Sequence, residues 1–242
     1  METKCTQCPL RRHDLFKKFS EQDEKAMQKF KVGELVIEAG TPVLIEGSNS
    51  PQLFTALRGM GLRYKTTLDG GRQIVNFVFP GDFIGLQAGV MGEMAHSVEA
   101  SSKMTLCVFN RSELWNFFKF YPERAFDITW LAAVEEHFLG EALTSIGQRT
   151  AMEALSWALL RTFMRGERIG LVQNRSMALP FRQQDLADAM GLSLVHTNKT
   201  LSKLRDQQLA DWSDGHLTIN DKEKLADLAK VELNLVPQRP LM

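Results

Sequence analysis

The chain lacks net charge: Lys plus Arg and Asp plus Glu each number 29. A neutral protein exerts no general pull on nucleic acid, so any case for DNA binding must rest on local charge. Blocks of like charge and low-complexity segments are missing as well. No stretch is apolar enough to span a bilayer, because the richest one, 126 to 146, is interrupted by Glu135, Glu136, His137 and Glu141. Met1 to Arg12 is polar, unlike a secretory leader. The expectation is a soluble, cytoplasmic protein without a membrane partner. Cysteine is scarce: three, at 5, 8 and 107, make no disulfide framework. Apart from these cysteines, no Ser-His-Asp order, phosphate loop or metal motif occurs.

What is present suffices for a buried core. The 242 residues are 44% hydrophobic and 24% charged, which suits one large or two small domains. Residues 1–30 form a polar segment with a CxxC and a helix over Glu21 to Phe30. From Val32 short β-rich runs follow one another: Leu35–Ile37, Val43–Ile45, Leu53–Leu57, Gly61–Thr67, Ile74–Phe79, His96–Ala100 and Met104–Phe109. Turn residues part them, among them Asp69-Gly70-Gly71 and Pro80-Gly81-Asp82, and this spacing predicts a sandwich or jelly roll over 31–123. At Asn110 the period becomes helical. A long helix over 124–147 carries Leu131, Val134, Phe138, Ala142 and Ile146 as an apolar stripe. The stripe suits either a partner helix or the chain's own barrel. Tryptophans 115, 130 and 157 are read as core, and Trp212 as packing the hairpin described next.

The region 148–242 holds the most telling pattern. Arg182 and Gln183 open a short helix with Leu186, Ala187 and Met190 on its apolar face. Gly191 suits a left-handed stop, and Ser193 an N-cap. A second helix keeps Leu194, Leu201 and Leu204 inward and leaves His196, Thr197, Asn198, Lys199, Thr200, Lys203 and Arg205 as polar or cationic groups, most of them facing outward. From Ser193 to Arg205 it has three cations and no carboxylate. Ser213-Asp214-Gly215 then turns a hairpin. The expectation is a winged helix-turn-helix whose second helix enters the major groove. The residues assigned to DNA are Arg182, Gln183, Ser193, Val195, His196, Thr197, Asn198, Lys199 and Lys203. Lys199 suits guanine, Asn198 adenine, and Val195 a thymine methyl.

The fold class is therefore α+β: β-roll, long helix, winged helix-turn-helix. This order resembles the Crp/Fnr superfamily of bacterial transcription regulators. The resemblance covers nearly the whole chain and is sharpest at Gly81-Asp82-Phe83-Ile84-Gly85, the long helix, and Arg182-Gln183-Gln184-Asp185-Leu186-Ala187 with Gly191-Leu192-Ser193. It implies a cyclic-nucleotide-binding-like roll that senses a signal. It also implies a homodimer through the long helix, RNA polymerase as a partner, and double-stranded promoter DNA with two half-sites ~34 Å apart on a near-palindrome. The cyclic-AMP-binding residues of that family are replaced: Leu86 stands for its Glu, and Met94-Ala95 for its Arg-Ser. No cation remains there for a phosphate, and Glu93 and Glu99 repel one. Cyclic AMP is therefore excluded from the expectation.

In the same family, oxygen-sensing members hold a [4Fe–4S] cluster with N-terminal cysteines and one more at the place of Cys107. By that resemblance Cys5, Cys8 and Cys107 are the metal candidates. Phe16 stands where relatives carry a further cysteine, and His13 or Asp14 is the substitute considered. The other readings are a thiol pair, half a zinc site, or no role for the cysteines, with control by an unknown ligand or by abundance. Two rivals sit outside the resemblance. A cupin-like metalloenzyme needs clustered His and Glu inside the roll, and only His96 lies between Val32 and Phe109. A protein-binding module does not account for the basic second helix.

Overall fold

The computed structural model describes residues 2–233 and 238–242. It divides into two units, each described by itself: Met1–Thr66 with Val75–Glu135 and Gln238–Met242, and Thr67–Ile74 with Glu136–Pro237. The boundaries read from sequence differ from these. The long helix is shared between the units, and the last five residues belong to the first unit rather than to a segment 148–242.

In the first unit, 3-10 turns at Cys5–Gln7 and Pro9–Arg12 lead to α1 (Glu21–Phe30). Ser20 caps α1 by accepting from the Asp23 amide at 3.1 Å, and the Asp23 carboxylate accepts from the Ser20 amide at 2.9 Å. Eight strands follow: β1 (Lys31–Ile37), β2 (Pro42–Leu44), β3 (Gln52–Arg58), β4 (Gly61–Thr66), β5 (Arg72–Val78), β6 (Phe83–Ile84), β7 (Ser97–Ala100) and β8 (Met104–Asn110). They form two four-stranded sheets, ordered β1-β8-β3-β6 and β2-β7-β4-β5. Phe54 of β3 lies opposite Val108 of β8, and both point into a core with Val78, Ile84, Val98, Met104 and Leu106. The turn before β6 needs its glycine. Gly81 has φ 93°, and the Phe16 ring leaves no room for a Cβ there. A short helix α2 (Leu86–Met91), unforeseen from sequence, follows β6.

Helix α3 (Leu114–Phe120) leads to α4 (Pro122–Gln148), which Pro122 opens rather than interrupts. A second core joins them to the roll. Phe30 stacks between Phe109 at 4.9 Å and Phe117 at 4.3 Å, with Leu53, Ile128 and Leu131 around them. Leu131 is 5% exposed, so its assignment to a dimer seam is corrected: it belongs to its own chain's core. Trp115 is 76% exposed and is no core residue.

In the second unit, α5 (Ala151–Arg168) starts at a Thr150 cap, where Glu153 accepts from the Thr150 amide at 2.8 Å. Phe138 of α4 stacks on Trp157 at 6.0 Å with Arg161 over its ring. Its place in the predicted seam is corrected as well, because the chain's own helix covers it. Strand β9 (Ser176–Ala178) joins β10 (Ala210–Ser213) and β11 (His216–Ile219) in a sheet ordered β10-β11-β9. Helices α6 (Gln183–Met190), α7 (Leu194–Asp206) and α8 (Lys222–Ala229) complete the unit.

Candidate functional site

Helix α6 is fastened at its start by an ion pair. Asp185, nearly buried, accepts from the Arg182 amide at 2.8 Å and from its guanidinium at 2.7 Å. Arg182 is therefore the N-cap of α6, with an exposed side chain, and half-buried Gln183 is the first helical residue. Gly191 ends α6 in the left-handed region, φ 65° and ψ 30°. Ser193 then caps α7, its hydroxyl accepting from the His196 amide at 3.2 Å. These local bonds fix the turn between the two helices.

The burial of α7 decides which side chains a duplex can reach. Leu201, Leu204, Thr197 and Thr200 face inward, and Thr200 donates to the His196 carbonyl at 2.9 Å. Thr197 is 0% exposed, so its expected DNA contact is corrected. Leu194, expected inside, is exposed. Val195 (79% exposed), Lys199 and Lys203 stand in a row at helical spacing, and they line a groove with Ser193, His196 and Thr200. Asn198 is exposed but lies outside this lining, about 100° round the helix from Lys199. Lys199, Lys203 and Arg205 form no ion pair among the described residues, so their charge is available to phosphates. Asp214 and Gly215 both have positive φ, 50° and 72°, which makes β10–β11 a tight two-residue hairpin. His216 on it is exposed, with Nδ1 3.0 Å from the Asp214 carbonyl. Trp212 packs inward as expected.

The three cysteines, 99 or more residues apart for two of the pairs, converge in the first unit. Cys5, Cys8 and Cys107 line one cavity of about 30 Å³ with Leu10, Met27, Phe109, Leu241 and Met242. Burial pushes the Cys5 and Cys8 thiols up, and pushes Cys107 up to about 12, against the opposing pull of Lys31. Lys31 is itself buried and tied to the Thr3 carbonyl at 2.6 Å and to Glu34 at 2.9 Å. The thiols are therefore protonated at neutral pH and are weak nucleophiles. Neither His13 nor Asp14 lines the cavity, and Phe16 is a buried packing residue against Gly81. The donor set is one thiolate short of the four that hold a [4Fe–4S] cluster, and the cavity has room for about two waters. These residues do not fit that group. Among the described residues no three His, Cys, Asp or Glu side chains are grouped to hold a metal ion.

The roll does contain a buried cation, one that the sequence reading overlooked. Arg63 of β4 donates to the Phe83 carbonyl at 3.0 Å and pairs with Glu135 of α4 at 3.0 Å. Asn76 donates to the same carboxylate at 3.0 Å. Met94 is buried in the roll core, and half-buried Leu86 packs against the second core. Beside Arg63, His96 is pushed down to about 4, by burial first and by the Arg63 charge second.

Two family models match the chain. The cyclic nucleotide-binding domain covers residues 34–121, and the Crp-like helix-turn-helix domain covers 153–228. Among curated proteins, the nitrogen fixation regulation protein FixK of Bradyrhizobium diazoefficiens is 28% identical, over 93% of each chain. The transcriptional activator protein FnrL of Cereibacter sphaeroides is 23% identical, over 93% of this chain and 92% of its own. Among solved structures, FixK2 from Bradyrhizobium japonicum superposes with a TM-score of 0.74 at 25% identity, covering 84% of this chain and 98% of its own. The chain belongs to the Crp/Fnr superfamily of transcription regulators, in its Fnr/FixK-like branch, and not to a family of enzymes.

Proposed function

We propose that this protein is a homodimeric, sequence-specific DNA-binding regulator that reads a near-palindromic promoter site with α7 and acts in the cytoplasm through RNA polymerase. The single observation that carries the reading is the row Val195, Lys199 and Lys203, exposed on a helix whose N-terminus is fixed by a Ser193 cap and whose other face is buried. Lys199 is placed to bond a guanine edge and Val195 a thymine methyl, while Lys203 and Arg205 answer phosphates. FnrL is named as a transcriptional activator, and activation is the direction carried over. Among the described residues no helix is long and apolar enough to cross a membrane.

The dimer seam proposed here is the outer face of α4, not the stripe that its own units cover. Ala132, Ala133, Leu139, Gly140, Leu143 and Gly147 are all exposed on it, and a Cβ at Gly140 or Gly147 would meet nothing within 4 Å. Small residues beside leucines let two helices approach closely. Ile146 of the original stripe, partly exposed, flanks this face, whereas Val134 lies on the opposite side of the helix and half-buried Ala142 does not reach it.

Signal entry is proposed at the Cys5–Cys8–Cys107 cavity, as a redox or ligand response without a four-thiolate cluster. Cyclic AMP is not the ligand on this reading, because the roll's buried Arg63 is already neutralised by Glu135. Protein purified without oxygen is expected to lack iron and acid-labile sulfide at cluster stoichiometry; a brown protein that bleaches in Cys107→Ser would overturn that. For DNA, the test is anisotropy of a random-sequence duplex against salt. Lys203→Ala should weaken binding at all sequences and reduce the salt slope by about one charge. An unchanged slope would remove Lys203 from the interface.

A further inference from the structure

Gln238–Met242 pack in the first unit, although the chain reaches them from α8 of the second. The Arg239 amide donates to the Leu15 carbonyl at 2.8 Å, and the Arg239 carbonyl accepts from the Lys17 amide at 2.9 Å. These two bonds make a one-residue bridge beside Phe16. Gln238 donates to the Asp14 carbonyl at 3.0 Å. The Arg239 guanidinium meets Asp82 at 3.1 Å; that carboxylate is 1% exposed and also accepts from the Phe79 amide at 2.9 Å. Buried Arg124 donates to the Leu241 carbonyl and lies 3.3 Å from the Met242 sulfur. Leu241 and Met242 are buried, and both line the cavity that holds the three thiols.

We propose that Gln238–Met242 is a strap that seals the thiol cavity, and that docking of the strap and modification or ligation of Cys5, Cys8 or Cys107 exclude each other. The argument is steric and electrostatic. The cavity has space for about two waters, so a larger group on a sulfur must displace part of its lining; of that lining Thr3, Cys8, Phe19, Leu241 and Met242 lie outside the helices and strands, and the last two belong to the strap. The strap is fixed by Asp82, a residue of the Gly81-Asp82-Phe83 turn, and breaking that buried ion pair is costly. Docked and released strap are thus two discrete states that the thiols bias. Because the strap continues the chain beyond α8, the docked strap is a covalent line from the helix-turn-helix unit to the cavity, and its release breaks that line. That last step rests on the DNA-binding reading; the strap does not.

The test is native labelling with N-ethylmaleimide at neutral pH, each cysteine quantified by peptide mass spectrometry. It compares the full chain, a chain ending at residue 237, and Arg239→Ala, which leaves every cavity residue in place. The strap predicts labelling of Cys8 and Cys107 about tenfold faster in both variants than in the full chain, since reaction follows the open population. Should the shortened chain fail to fold, Arg239→Ala with native circular dichroism decides alone. Equal rates in a folded Arg239→Ala and the full chain would overturn the strap. A second arm measures anisotropy of a random-sequence duplex at low salt, before and after labelling. A change in affinity that vanishes in the shortened chain supports the covalent line. No change, with the labelling result upheld, overturns that line and leaves the strap. Absence of DNA binding by the unlabelled full chain overturns the DNA-binding reading instead.

Discussion

Thr197 and Lys199 lie two positions apart on one helix and have opposite surroundings. Lys199 looks into the groove, whereas the Thr197 hydroxyl is buried and makes no hydrogen bond among the described residues. An unpaired buried hydroxyl contributes nothing to stability, so Thr197→Val should leave the melting temperature unchanged or raise stability by about 1 kcal/mol. DNA affinity should not move; a loss of sequence preference would return Thr197 to the interface. Lys199→Ala should cost ~1–3 kcal/mol of discrimination at one base position. His96 supplies a pH test. Its ordinary value of 6.5 is lowered to about 4 in the fold. Below 6.5 the unfolded chain takes up a proton that the folded one refuses, so stability is full above 6.5 and declines as pH falls toward 4. The loss reaches about 3 kcal/mol. The slope of stability against pH in that window should flatten in His96→Gln, and an equal slope in both proteins would contradict the buried imidazole.

At the scale of elements, α4 shows where periodicity informs and where it misleads. Leu131, Val134, Phe138 and Ala142 form the strongest apolar stripe, and the long helix was legible from it. Its orientation was not, because a stripe does not say what covers it. Leu131 meets the Phe30 and Phe109 core and Phe138 meets Trp157. The outer face carries Ala133, Gly140 and Gly147, which give almost no hydrophobic signal. Leu143→Glu should therefore convert dimer to monomer in size-exclusion chromatography with little change in melting temperature. Phe138→Glu should instead destabilise the second unit by about 3 kcal/mol. The reverse pattern would restore the original seam. The capped helix pair was legible almost residue by residue, because Gly191, Ser193 and Asp214-Gly215 each solve a local backbone problem. Strand β9 was hidden: three residues that pair with a strand some forty positions later leave no local pattern.

Over the whole molecule, local rules reached the order of roll, helix and helix-turn-helix, and long-range convergence escaped them. Only the family resemblance, and no local pattern, put Cys107 with Cys5 and Cys8, and nothing in Gln238–Met242 announces Asp82. The Arg63–Glu135 pair joins a strand to a helix in the same way. Such contacts depend on how the sheets close, which no short window contains. The proposed DNA reading nevertheless concentrates in one locally determined element, α7, and that is where it is most exposed to test. The most direct measurement is selection of bound sequences from a random duplex library by the full-length protein. The account predicts convergence on a two-fold-related motif with half-sites one turn apart, ~34 Å, and loss of preference at one position per half-site with Lys199→Ala. Failure to enrich any sequence, with binding no stronger than to random duplex at low salt, would contradict it.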